Sequence, residues 1–131
     1  MILLDSNTII HYLKGIESVV ARLQAASRHE LAIPSITAYE IEYGNRKVGP
    51  ARRHAAVSAL LRGLTQIPFD HAAAEESAGI RIDLERRGLT IGPLDLLIAG
   101  IAMSRNALLV TNNTREFRRI RGLRLADWTR E

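Results

Sequence analysis

Cysteine is absent from the 131 residues. That excludes a disulfide framework, a thiolate metal site and a cysteine nucleophile. Aromatic residues are scarce, at 5%, so a base-stacking platform of the single-strand-binder kind is not expected. Lysine is nearly missing: only Lys14 and Lys47 occur, and the other 16 of the 18 basic residues are arginine. No uninterrupted apolar run approaches the ~18–20 residues that a membrane-crossing helix needs. No repeat, linker or low-complexity stretch interrupts the chain, so 1–131 reads as one domain, within the usual ~100–150 residues. No basic segment precedes the apolar start at Met1, so no secretory leader is expected. These absences lead us to expect a soluble cytoplasmic protein with no membrane contact.

The chain is 47% hydrophobic and 24% charged, with a net charge of +4. A chain of this length can bury ~65–70% of its unfolded surface without a covalent staple. Arginine's planar fork suits phosphate, although an Ala- and Leu-rich composition can also reflect base composition alone.

Short apolar runs alternate with helical patterns. Met1–Leu4, Leu31–Ile33, Thr65–Phe69, Ala107–Thr111 and Leu123–Ala126 read as strands, with Trp128 packed behind the last. Ser6 and Ser35 are expected to cap helices. Ile16, Val20 and Leu23 mark a second helix. The third runs to about Lys47 and is broken at Gly49-Pro50. Val57, Leu60, Leu61 and Leu64 form the apolar stripe of a fourth. Asp70 caps a long helix stopped at Gly88. Pro93 opens another, with Leu94, Leu97, Ile98 and Ile101 on one face. Strands alternating with helices predict a three-layer α/β/α sandwich with a parallel sheet of four to five strands. Ligands in such folds sit beyond the C-terminal strand ends, where the strand order reverses.

Most acids have solvated roles. Glu42 and Arg46 are spaced to pair on one helix face. Glu75, Glu76, Asp83 and Glu85 read as the wet side of the long helix, and Glu116 as an exposed turn residue. Three acids resist this treatment. Asp5 ends an apolar strand. Glu40 shares a helix face with Ile36 and Tyr43, both expected in the core. Asp95 lies near the buried edge of its helix, in the first turn, where an acid also favours the helix dipole. Buried carboxylates need a cation or neutralisation. No Lys or Arg is spaced to pair with Glu40 or Asp95. If the three meet in one crevice, an oxygen-liganded Mg²⁺ or Mn²⁺ resolves their repulsion. Gly44 either opens that crevice or serves packing. Thr111, Asn112 and Asn113 end the best strand, where Thr111 can steady a carboxylate and an Asn carbonyl can ligate.

Four segments carry a resemblance across nearly the whole chain: Leu3–Ile10 with Asp5, Pro34–Gly44 with Glu40 four residues before the Gly, Ile91–Ala99 with Asp95, and Leu109–Phe117 with Asn113. In this order and spacing the sequence resembles the PIN-domain ribonucleases, and within them the VapC-type toxins of toxin–antitoxin pairs. One position departs from the pattern: many members carry Asp where this chain has Asn113, which leaves three formal carboxylates.

The resemblance implies Mg²⁺- or Mn²⁺-dependent hydrolysis of RNA, with a structured RNA such as a transfer RNA as substrate. Asp5, Asp95 and Glu40 are implied as metal ligands, with Glu40 orienting water and Asn113 completing the shell. Asn7 and Thr111 are the neighbours expected to orient the acids. Arg46, Lys47, Arg115 and Arg118 are expected to bind RNA phosphates, in clusters that extend to Arg52 and Arg53 and to Arg119 and Arg121. An antitoxin partner and a homodimer are implied too. Val19, Val20 and Leu23 serve either a dimer surface or the core. The alternative is a weakly catalytic PIN domain used as a binding module. A receiver domain would want paired acids at the first strand and a late Lys, both lacking here. An Asp-x-Asp phosphatase fails at Asn7. His11, His29, His54 and His71 show no convergent pair.

Overall fold

The computed structural model describes residues 1–48 and 51–130. In chain order the elements are β1 (Ile2–Leu4), α1 (Ser6–Leu13), α2 (Glu17–Ala25), β2 (Leu31–Pro34), α3 (Ser35–Val48) and α4 (Ala51–Arg62). Then follow β3 (Thr65–Ile67), α5 (His71–Arg86), α6 (Pro93–Ser104), β4 (Leu108–Val110), α7 (Thr114–Phe117) and β5 (Arg124–Ala126). The strands form one parallel sheet ordered β3-β2-β1-β4-β5. The expected sandwich is present, with five strands. The anticipated break at Gly49-Pro50 lies outside the described residues, as do the side chains of Arg52 and Arg53.

Both faces of the sheet are covered, which is why the three inner strands β1, β2 and β4 are apolar without alternation, while the edge strands β3 and β5 carry polar residues. Leu3, Ala32, Ile67 and Leu109 pack on one side with Ile80 and Leu84 of α5, Ile98 and Ile101 of α6, and Phe117. Leu4, Leu31, Ile33 and Val110 pack on the other with Ile9, Val19, Ala38, Ile41, Val57, Leu61 and Trp128. Val19 is therefore core, and Val20 and Leu23 are half-buried beside it.

α5 and α6 approach so closely that only glycine fits at position 100. A Cβ there would run into Ser77 Oγ and lie 2.7 Å from the Ala73 carbonyl oxygen. Asp70 caps α5 by accepting the Ala73 N–H at 3.0 Å. Gly88, at φ +68°, supplies the left-handed residue just past its end. Arg87 then ties this end of α5 to Asp83 and to the Arg119 carbonyl.

Several local expectations change. Asp5, not Ser6, caps α1, and its carboxylate accepts the Ser6 N–H at 2.8 Å. Ser35 is already the first residue of α3. Tyr43 is exposed, not buried. The core side of α3 is made by Thr37, Ala38 and Ile41, so Glu40 sits at the edge of that side rather than within it. Among the described residues, no helix is long and apolar enough to cross a membrane.

Candidate active site

The strand order reverses between β1 and its neighbour β4, and the crevice opens at their C-terminal ends. Asp5 follows β1 directly and donates its N–H to the Val110 carbonyl at 3.0 Å, which fixes it beside the end of β4. Its side chain is buried. Burial raises the carboxyl pKa, and three donors pull against that rise: the Thr111 hydroxyl, the Ser6 N–H and the Asn7 amide. Thr111 donates at 2.8 Å and Asn7 at 3.2 Å, both to Oδ2. Asn7 also reaches Thr111 Oγ1 at 3.2 Å and accepts the Asn112 N–H at 3.0 Å. The two strand ends are thus cross-linked through one carboxylate and one carboxamide. Asn7 and Thr111 both lie within hydrogen-bond reach of the Asp5 carboxylate.

Glu40 enters from α3. Burial raises its pKa first, and the Asp5 charge adds to the rise. Its Oε1 is buried without a hydrogen-bond partner. Asp95 enters from the first turn of α6, which starts at Pro93 behind Gly92. Gly92 lies directly against this carboxylate: a Cβ there would stand 3.4 Å from Asp95 Oδ2, in van der Waals contact. The Asp95 carboxyl is pushed up to about 7, by burial first and then by the charges of Asp5, Glu116 and Glu40. A hydrogen bond with Glu116 adds to this.

Glu116 is the residue the sequence reading missed. It is half-buried rather than an exposed turn residue. The Asn113 amide nitrogen donates to Glu116 Oε2 at 2.8 Å and to Asp95 Oδ2 at 3.3 Å. The reading of three carboxylates is corrected: Glu116 brings a fourth. Asn113 meets the acids as a donor, through its nitrogen rather than its oxygen. The signal was present in the sequence. Asn113 is the N-cap residue of α7 and Glu116 stands three positions on, the spacing at which a glutamate folds back toward the cap.

The expected phosphate-binding residues are exposed and differ in their partners. Arg46 and Lys47 are exposed in the last turn of α3; Arg46 lies 3.9 Å from Glu42, and Lys47 stands 5.6 Å over the Tyr43 ring. Arg115 and Arg118 are exposed on and just after α7. Arg119 and Arg121 are engaged elsewhere, with the Thr90 carbonyl and Asp83. Gly44 has no packing role: a Cβ there would meet nothing within 4 Å.

The site is thus a set of crowded carboxylates served by neutral donors. Among the described residues, no three His, Cys, Asp or Glu side chains close on one point. The donor chemistry nevertheless suits a hard divalent cation, since all the ligating atoms on offer are oxygens. An orphaned buried oxygen on Glu40 and a carboxyl forced up by its neighbours' charges are what such a cation would relieve.

Known proteins share this fold and much of this sequence. The PIN domain family profile matches residues 2–123. The tRNA(fMet)-specific endonuclease VapC of Shigella flexneri is 38% identical over 128 residues, covering 97% of each chain. Its counterpart from Salmonella typhimurium is 39% identical over 127 residues, covering 96% of each. The VapC chain of a DNA-bound VapBC complex from Salmonella typhimurium superposes with a TM-score of 0.90 at 40% identity, over 97% of each chain. The chain belongs to the PIN-domain family, in its VapC-type branch.

Proposed function

We propose that this protein is a divalent-metal-dependent endoribonuclease toxin that hydrolyses phosphodiester bonds in a structured RNA. The observation that carries the reading is the crowding of negative charge on Asp95 by Asp5, Glu116 and Glu40 near the strand-order reversal, with one Glu40 oxygen left unpartnered. The relatives named as tRNA(fMet)-specific endonucleases support initiator tRNA as the substrate to try first.

Asp5, Asp95, Glu40 and Glu116 are the residues that would hold Mg²⁺ or Mn²⁺. Such an ion supplies neutralisation of the carboxylates, a lowered pKa for water and compensation of charge on the phosphate. Thr111 and Asn7 hold the Asp5 carboxylate in one orientation through their hydrogen bonds. Asn113 keeps Asp95 and Glu116 side by side without adding charge. Glu40, whose Oε1 is buried without a partner, would orient the attacking water and accept its proton. Arg46, Lys47, Arg115 and Arg118 offer phosphate contacts that position RNA without reading bases. Water as nucleophile leaves a 5′-phosphate and a 3′-hydroxyl. A cognate antitoxin is the expected inhibitor, since the VapC chain of Salmonella typhimurium crystallised within a VapBC complex. A homodimer in a cytoplasmic setting completes the proposal.

The test is incubation of the partner-free chain with initiator tRNA and with total RNA, in Mg²⁺ or Mn²⁺. Discrete cuts bearing 5′-phosphates, lost with EDTA and in Asp5→Ala, are the expected result. Cutting that survives the chelator rules out the carboxylate–metal chemistry. No cutting, together with no Mg²⁺ binding by calorimetry, favours the non-catalytic binding module.

A further inference from the structure

Two of the chain's three tyrosines, Tyr39 and Tyr43, are the most exposed large hydrophobic side chains among the described residues, at 59% and 57%. Both lie on α3, one helical turn apart, so their rings stand on one stripe. Their position relative to Glu40 follows from helix geometry. Tyr43 lies about 60° and Tyr39 about 100° around the axis from Glu40, in the same direction. Buried Thr37 and Ile41 lie about 60° and 100° around it in the opposite direction. Glu40 therefore stands on a boundary, with the core on one side and the tyrosine stripe on the other. The stripe begins where the carboxylate crevice ends.

The same stripe carries charge. Lys47 sits over the Tyr43 ring, 5.6 Å from its centre, and Arg46 is exposed one residue before it. Two aromatic faces followed by two cations, along a rim that leads into an acidic crevice, suit an unpaired nucleotide strand: rings for bases, cations for phosphates. A solvent-facing ring does nothing for the core, and aromatic surface is uncommon in a chain with so few aromatics. The low overall aromatic content argued against a stacking platform, but content says nothing about placement.

We infer that Tyr39 and Tyr43 form a base-stacking platform that holds unpaired nucleotides flanking the scissile phosphate, with Arg46 and Lys47 taking the adjacent phosphates. This rests on the ribonuclease reading above and adds how RNA is gripped. The platform is sequence-tolerant, because every base presents a face. It selects for RNA that exposes loop nucleotides over continuous duplex.

The test reads binding without cleavage. Fluorescence anisotropy of labelled initiator tRNA is measured on the Asp95→Asn chain, alone and combined with Tyr39→Ala, Tyr43→Ala or both, and with Tyr39→Phe/Tyr43→Phe. Each alanine is expected to weaken binding by roughly 5- to 150-fold, the range for loss of one stacked base. The double phenylalanine variant is expected to bind as the parent does, because it keeps both rings. Thermal melts and light scattering check folding and mass. Alanine variants that bind as tightly as the parent overturn the platform and leave the nuclease reading intact. Phenylalanine variants as weak as alanine overturn it too, because the hydroxyls would then make the contact. Loss of binding accompanied by a change in mass overturns it in favour of an interface between copies. An Asp95→Asn chain that binds no RNA at all overturns both readings.

Discussion

The Asn113 side-chain amide bridges two acids, donating to Glu116 Oε2 at 2.8 Å and to Asp95 Oδ2 at 3.3 Å. An aspartate at position 113 would add a further negative charge to a crevice that already forces Asp95 up to about 7. The carboxamide instead supplies two hydrogen bonds with no charge, and Glu116 provides the carboxylate from one turn later. Function at this corner of the site is thus divided between two side chains.

Glu116→Gln is therefore expected to behave as a site mutation, not a surface one. Removing this carboxylate should weaken Mg²⁺ binding by roughly 10- to 100-fold, the usual scale for groups that support a metal site. Cleavage should fall with it. Calorimetric titration with Mg²⁺ and a cleavage time course measure the two effects. Wild-type affinity in both would remove Glu116 from the site.

Asp95 makes the metal-free protein sensitive to pH. Its folded pKa, about 7, lies above the ordinary value of 3.8. Between those values the folded chain holds a proton that the unfolded chain has released, so stability falls as pH rises. The contribution is complete below about pH 4 and lost above about pH 7. The melting temperature in EDTA should accordingly be higher at pH 5.5 than at pH 8. Asp95→Asn should flatten that slope, and Mg²⁺ at pH 8 should restore part of the loss. A slope unchanged in Asp95→Asn would assign the effect to another group.

Thr111→Val removes a hydroxyl but keeps the shape. Thr111 is fully buried and donates to the buried Asp5 carboxylate at 2.8 Å. Loss of a hydrogen bond to a charged group costs about 1.5–3 kcal/mol. Denaturant unfolding at pH 7 in EDTA should show that loss. Cleavage should also fall, because Asp5 is no longer held in one orientation. Thr111→Ser, which keeps the hydroxyl, should recover most of the activity.

Two helical glycines should respond in opposite ways to alanine. At Gly100 the new methyl collides with Ser77 and the Ala73 carbonyl. Overpacking of about 1–3 kcal/mol outweighs the gain in helix propensity. At Gly44 the methyl meets open space, so Gly44→Ala should stabilise by about 0.5–1 kcal/mol. Thermal melts decide both. A Gly44→Ala chain that is more stable yet cleaves poorly would show that the gap is used by RNA.

Local pattern determined much of this protein. Three short apolar runs, an alternating Thr65–Phe69 segment and a weaker Leu123–Ala126 one, set between helical stripes, specify a parallel sheet covered on both faces. Asp5 and Asp95 stood out because each breaks an apolar segment at its edge, although each also serves a helix start, Asp5 as the cap of α1 and Asp95 in the first turn of α6. Asn7 and Thr111 sit near enough to strand ends for their hydrogen bonds to be anticipated. What local pattern does not encode is which strands become neighbours. The pairing of β1 with β4, more than 100 residues apart, brings Asp5 to Thr111 and opens the crevice. Glu116 joins the acids through Asn113, three residues before it, whose amide also reaches Asp95 on α6. Its sequence neighbours are polar, and by themselves they read as an exposed turn. Tyr43 misled for the same reason: α3 has apolar residues on more than one side, and only packing decided that Thr37, Ala38 and Ile41 would face the sheet. Residue types and their spacing along single elements settled the fold class and the first acids. Contacts between distant elements, which no local period records, settled which strands are neighbours, where the crevice lies and which face of α3 is left exposed.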